Sequence, residues 1–224
     1  MEEYTWYLQQ TPLFKGIKHE EMRKLLDCLS ASVKKYSKNE VIFQAGDEVR
    51  SIGIIMEGKI QIQNEDFFGA RTIIAELGRG MMFAEAFVCA NIDRFPVTVL
   101  AADNSVVFLL NYKKMMTVCS KACGFHNLLT ENLVKLLARK NVFQNERLEV
   151  LSKRSTREKI LAYLSVTAKH KGNNKFTLPF NRQEMADYLC VDRSAMSSEL
   201  GRMKDDGLID FNKNEFIILS KNIL

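Results

Sequence analysis

The chain has 224 residues, 46% of them hydrophobic and 26% charged, and contains no run of about 18 apolar residues that could cross a membrane. Its acidic start, Met1-Glu2-Glu3-Tyr4, lacks the basic and apolar regions of a signal peptide, so a cytoplasmic protein of one large or two modest domains is expected. The net charge of +5 is unevenly spread: from Ser152 onward there are 13 Lys/Arg against 9 Asp/Glu, the sign that suits a nucleic-acid partner.

The first 123 residues read as a β-rich domain. His19 to Leu26 favours a helix with Met22, Leu25, Leu26 and Leu29 on one face. Short β-branched or aromatic runs follow at 41–43, 51–56, 59–63, 72–75, 97–100 and 105–110. Several alternate apolar with polar, and Gly, Asn or Asp punctuates the gaps, as at Gly46-Asp47, Gly58 and Asp103-Asn104. Closely spaced short strands of this kind predict an antiparallel barrel or sandwich. The five cysteines (Cys28, Cys89, Cys119, Cys123 and Cys190) are odd in number and form no CxxC pair. Free thiols are expected, with a metal or redox-sensing role for Cys119 and Cys123 as the alternative; the four spaced ligands of a zinc or iron–sulfur site are not seen.

Residues 124–151 change character. Leu129, Leu133, Leu136, Phe143 and Val150 recur in a heptad-like seam, interrupted by Lys140 and Arg147, over a helix of some 25 residues. A helix this long is expected to extend beyond one small domain and to pair two copies of the chain, with Leu129, Leu133, Leu136 and Phe143 in the dimer seam. The other reading is a core helix against the strands.

Residues 152–224 read as a compact helical unit. Ser155-Thr156-Arg157-Glu158 is a capping box, and Ile160, Leu161, Leu164 and Ala168 mark the buried stripe that follows. Phe176 to Phe180 is expected to be an edge strand, because Pro179 cannot donate to a ladder. Asn181 with Glu184 caps one short helix, Cys190-Val191-Asp192 breaks it, and Asp192 caps a second helix from Arg193 to about Asp206. Two hydrophobic runs, 207–211 and 216–219, then form a hairpin. The series is that of a winged helix-turn-helix. The outward face of the second helix carries Arg193, Ser194, Ser197, Ser198 and Arg202. An arginine at its N-terminal end can pair bidentately with guanine O6 and N7.

Several stretches together resemble the cyclic-AMP receptor protein/FNR family of bacterial regulators: Ile42-Phe43-Gln44-Ala45-Gly46-Asp47, Ile55-Met56-Glu57-Gly58-Lys59-Ile60, Leu77-Gly78-Arg79-Gly80 through Glu85, and 155–209. The resemblance runs nearly end to end. It implies an α+β chain with an N-terminal antiparallel, jelly-roll-like β-roll, a long dimerisation helix and a C-terminal winged helix-turn-helix. It also implies that Arg193 reads bases and that Arg182 and Gln183 contact the DNA backbone. The family's cyclic-AMP pocket uses a Gly-Glu pair followed by Arg-Ser ten residues after the Glu. Here the pair is Ala84-Glu85, the Arg-Ser positions hold Phe95-Pro96, and Arg94 is one residue out of place. Cyclic AMP is therefore not expected as the effector. Phe83, Phe87 and Phe95 suit a more apolar molecule, bound near Phe83, Glu85, Arg94, Phe95 and Leu129. The cysteine cluster of the oxygen-sensing branch is missing, and His19, His126 and His170 give no haem signal.

The expected protein is thus not an enzyme, since residues 152–224 show no phosphate loop and no Ser/His/Asp set. It is a homodimeric regulator of a palindromic double-stranded operator, controlled by an unidentified small-molecule effector and by no recognisable cofactor. RNA polymerase is a further partner only for an activator, and no polymerase-contacting motif is readable. The alternative is a ligand-independent regulator that uses the β-roll as a scaffold.

Overall fold

The computed structural model describes residues 2–65, 71–117 and 124–220, which fall into two units, Met1–Ala138 and Arg139–Leu224. Cys119 and Cys123 lie outside the described residues. Cys28 and Cys190 are exposed free thiols, and Cys89 is half-buried.

The first unit opens with α1 (Glu2–Gln10), a 3-10 turn at Pro12–Phe14 and α2 (His19–Cys28). The strands follow: β1 (Ser32–Tyr36), β2 (Val41–Phe43), β3 (Ser51–Glu57), β4 (Lys59–Glu65), β5 (Arg71–Gly78), β6 (Met82–Phe83), β7 (Thr98–Ala101) and β8 (Ser105–Asn111). Two short helices, α3 (Glu85–Cys89) and α4 (Tyr112–Met116), follow β6 and β8. The strands form two four-stranded antiparallel sheets, ordered β1-β8-β3-β6 and β2-β7-β4-β5. Each of the six runs read as a strand is one. Strand β7 alternates buried with half-buried residues, whereas β3 and β8 are buried along nearly their whole length. Helical segments supply the second cover for that sheet: Phe14 packs edge-on against Phe108 of β8, and Met22, Leu25, Leu26 and Leu29 join the same core. Strand β1 was not legible because Lys34 and Lys35 keep it polar, as befits the edge of its sheet. Strand β6 places Phe83 opposite Gly53 of β3, so closely that a Cβ on Gly53 would lie 2.1 Å from the phenyl ring.

Helix α5 (Gly124–Leu151) corrects the expected dimer seam. Leu129 and Leu133 are buried in the first unit's own core, and Leu136 packs at its margin. Between them the buried Asn132 carboxamide donates to the carbonyls of Leu13 (3.0 Å) and Lys15 (2.8 Å). At the other end Val150 is buried in the second unit's core. The periodicity is real, but single-chain packing already uses it at both ends. A heptad records that one face of a helix is covered and not what covers it. Of the expected seam, Phe143 alone is exposed; the other large apolar residues left open on α5 are Val134 (59%), Val142 and Leu148 (63%).

The second unit continues with α6 (Thr156–Lys171), β9 (Lys175–Thr177), α7 (Arg182–Leu189), α8 (Arg193–Asp205), β10 (Ile209–Asn212) and β11 (Glu215–Ile218). Its strands form a sheet ordered β10-β11-β9. The Ser155/Glu158 capping box starts α6 as expected. The strand expected to reach Phe180 stops at Thr177; the Leu178 amide bonds the Asn214 carbonyl (2.9 Å) and Pro179 has no amide to offer. The core gathers Ile160, Leu164, Met185, Leu189, Met196, Leu200, Met203 and Phe216. Among the described residues, no helix is long and apolar enough to cross a membrane.

Candidate nucleic-acid interface

The pair α7–α8 is fixed by local hydrogen bonding before any tertiary contact is considered. Asn181 accepts from the Glu184 amide (3.0 Å), and the Glu184 carboxylate accepts from the Asn181 amide (2.7 Å). Helix α7 ends at Cys190 in the left-handed region (φ 51°), and the Val191 amide turns back to the Ala186 carbonyl (3.0 Å). Lys159 of α6 donates to the carbonyls of Leu189 (3.2 Å) and Cys190 (3.4 Å). Asp192 then accepts from the Ala195 amide (2.9 Å) and starts α8 at Arg193. Ala186 is fully buried, as close packing of the two helices requires.

Seven residues were singled out for DNA contact, and the structure divides them. Arg193, Ser197 and Ser198 are exposed on α8. Among the described residues, none of the three has a hydrogen-bond or ion-pair partner. Ser194 is exposed but engaged: its hydroxyl donates to Asp192 Oδ1 at 2.5 Å. That bond, followed by the Ala195 amide, holds the Asp192 carboxyl below its ordinary pKa, so Ser194 completes the cap of α8. Arg202 lies 3.4 Å from the Glu199 carboxylate, which also holds Arg157 at 3.2 Å; Arg157 pairs in turn with Asp206. Gln183 donates to Asp187 one turn along (2.8 Å). The Arg182 guanidinium is half-buried over the rings of Phe211 (4.9 Å) and Phe216 (5.1 Å). Burial draws its pKa down, and it fastens α7 to the β10–β11 hairpin.

One residue of this face was missed. Gly201 lies four residues from Ser197 and three from Ser198, and a Cβ built there would meet nothing within 4 Å. Glycine within a helix costs about 1 kcal/mol relative to alanine, and no neighbour among the described residues requires it. The signal was available, since an isolated glycine in a helical pattern asks for a reason.

The five residues expected around an effector all belong to the first unit. Phe83, Glu85, Phe95 and Leu129 are buried; Arg94 is exposed. Phe83 and Phe95 each pack against Phe43 at 5.7 Å between ring centroids, and Phe87 meets Phe95 at 5.1 Å. The Phe95 backbone is tied to the facing turn, its amide to the Asp47 carbonyl (2.9 Å) and its carbonyl to the Gly46 amide (2.8 Å). Arg94 Nη1 donates to the Gly46 carbonyl (3.0 Å). An anion at positions 95 and 96 would therefore meet a buried phenyl ring and a proline without an amide. These residues do not fit the phosphate of a cyclic nucleotide. Near Glu85, burial pushes the Cys89 thiol up, against the lowering effect of a hydrogen bond with Tyr112.

Comparison with known proteins covers both units. Residues 33–122 match the cyclic nucleotide-binding domain family, and residues 158–224 match the Crp-like helix-turn-helix domain family. Electron transport regulator A of Shewanella oneidensis is 24% identical over 200 residues, covering 87% of this chain and 77% of that protein. The cyclic AMP receptor protein of Thermus thermophilus is 22% identical over 202 residues, covering 90% and 89%. The crystal structure of the Thermus thermophilus catabolite activator protein shares the fold, with a TM-score of 0.53, 21% identity and 93% of each chain covered. The match to mouse cGMP-dependent protein kinase 2 takes in 110 residues at 27% identity, and the chain spans 14% of that kinase's length.

Proposed function

The chain belongs to the Crp/FNR family of regulators, and from that premise we propose that it is a homodimeric, sequence-specific DNA-binding transcription regulator whose effector is not cyclic AMP. The observation that carries the DNA reading is Arg193, exposed and unpartnered at the capped N-terminus of α8. That end of a recognition helix enters the major groove, where a guanidinium discriminates guanine by about 1–3 kcal/mol. Ser197 and Ser198 keep the adjacent surface low and hydrogen-bonding.

For the dimer, the support lies on a different face of α5 from the one the heptad marks. Val134, Ala138, Asn141, Asn145 and Leu148 follow one another at steps of four and three, all exposed, and Asn145 donates to Asn141 (3.1 Å). An apolar line with paired asparagines suits a second copy of the same helix, the amides setting its register. Two such protomers would present their α8 helices to half-sites about 34 Å apart on one face of the duplex. A ligand that biases the packing of α5 by roughly 1–3 kcal/mol would change operator affinity about 5- to 150-fold. The burial of Phe83 and Phe95 among Phe43 and Phe87 favours a second reading, in which the β-roll is a scaffold without a ligand of its own.

The test is selection of binding sites from random duplexes at fixed moderate salt, with Arg193→Ala in parallel. A two-fold palindrome blurred at one base pair per half-site by the mutation is expected. A palindrome that Arg193→Ala leaves unchanged overturns the assignment of Arg193, and enrichment of a single half-site overturns the dimer.

A further inference from the structure

The second unit contains a cavity of about 330 Å³ that no part of the DNA reading uses. The last two turns of α5, together with α6, Phe180 and α7, line it. Its wall is aromatic: Tyr188 of α7 lies 5.1 Å from both Tyr163 of α6 and Phe180, and Phe180 stacks on Tyr163 at 6.3 Å. Arg147 of α5 lines the same space with its guanidinium 5.0 Å over the Tyr188 ring. The Arg147 Nε is buried and, among the described residues, has no hydrogen-bond partner. Glu146, which also lines the cavity, is engaged by His170 Nε2 at 3.0 Å.

A buried N–H without an acceptor is rare, because leaving it unpaired is costly, and more so on a charged group. A volume near 300 Å³ lies at the lower end of the range that holds small-molecule ligands, equivalent to roughly eleven water volumes at about 30 Å³ each. The cavity thus combines flat apolar walls sized for one or two rings with the half-buried guanidinium of Arg147; Lys171 and His170 lie on the same lining. We propose that it binds a small aromatic carboxylic acid, its ring among Tyr163, Phe180 and Tyr188 and its carboxylate on Arg147. The Tyr163 phenol, pushed up to about 12 by burial, stays protonated at neutral pH and adds no competing charge. Such a ligand would touch α5 through Arg147 and the last turn of α7 through Tyr188, so its occupancy bears on the first helix of the helix-turn-helix. That regulatory part rests on the DNA reading above; the binding itself does not.

Binding is read by isothermal titration of the full chain, without DNA, using 1-naphthoate and its neutral analogue 1-naphthamide. Saturable one-to-one binding of naphthoate is expected, with naphthamide at least tenfold weaker, as the loss of a charged hydrogen bond requires. Arg147→Gln removes that discrimination, and Val166→Phe, which fills the cavity, removes both isotherms; circular dichroism melts verify that the variants are folded. If Val166→Phe does not fold, the Arg147→Gln arm decides alone. No saturable naphthoate heat, or undiminished discrimination in Arg147→Gln, overturns the site. Operator affinity is then measured with and without naphthoate, a change of threefold or more being expected. Binding with unchanged operator affinity overturns the regulatory part only, and loss of operator binding in every sample points instead to failure of the DNA reading.

Discussion

Residues 83–95 and residues 181–202 are the two stretches where the family resemblance places chemistry, and the structure treats them oppositely. In the second, the backbone is satisfied by Asn181, Glu184, Lys159 and Asp192, which leaves Arg193, Ser197 and Ser198 free and outward. In the first, the positions that would face an anion are a buried phenyl ring and a proline, and the exposed Arg94 donates through Nη1 to the Gly46 carbonyl. Exposed, unpartnered polar side chains mark the second stretch, and aromatic packing marks the first. Fold alone is therefore a poor guide to ligand: Phe43, Phe83 and Phe95 pack together where the resemblance places a binding site.

The sharpest way to break that contrast is Phe95→Arg, which restores a cation where the resemblance wants one. If position 95 is a packing site, a buried unpaired charge replaces a ring and destabilises the first unit by about 4 kcal/mol or more, read as a lower midpoint in urea unfolding. Should the variant instead keep its stability and gain cyclic AMP binding, the site is a dormant pocket and the comparison fails. The unaltered chain is expected to show no thermal stabilisation by cyclic AMP; a working site at 100 times its Kd would contribute about 2.7 kcal/mol.

Neighbours on α5 repeat the contrast in miniature. Leu133 is 2% exposed and Val134 is 59% exposed. Leu133→Asp is expected to cost about 3–5 kcal/mol of stability, as loss of a buried leucine and burial of a charge together imply. Val134→Asp should leave the urea midpoint within about 0.5 kcal/mol of the parent while shifting the species in sedimentation velocity from dimer to monomer. The reverse pattern would return the dimer seam to the leucines.

What the sequence made legible was local. Three helix caps, six strands and the Cys190-Val191-Asp192 break follow from hydrogen bonding and alternation within a few residues, and they stand where expected. What it hid was relational. The Leu129–Val150 periodicity could not say that two separate intrachain cores cover its ends, and nothing near Asn132 announced its bonds to Leu13 and Lys15, more than a hundred residues away. Arg182 stands in the sequence as a DNA-contacting charge, but the hairpin's Phe211 and Phe216 turn it into a clamp. The aromatic cavity draws on Arg147, Tyr163, Phe180 and Tyr188, whose spacing has no period to find.

Gly201 gives the smallest effect and separates stability from function most cleanly. Its position in α8 leaves open space where a side chain would stand, so alanine there meets no clash and adds helix propensity. Gly201→Ala should raise stability by about 0.5–1 kcal/mol, visible as a higher urea midpoint. If the glycine is kept so that DNA can approach α8 closely beside Ser197 and Ser198, the same change weakens operator binding by about three- to tenfold, a loss of roughly 0.7–1.4 kcal/mol. A protein that is more stable and binds less well cannot have lost affinity through misfolding, so the two signs together assign the glycine to the interface. More stability with unchanged affinity would instead move the DNA surface toward the first turn of α8, leaving Arg193 and its neighbours to carry it without the helix's middle.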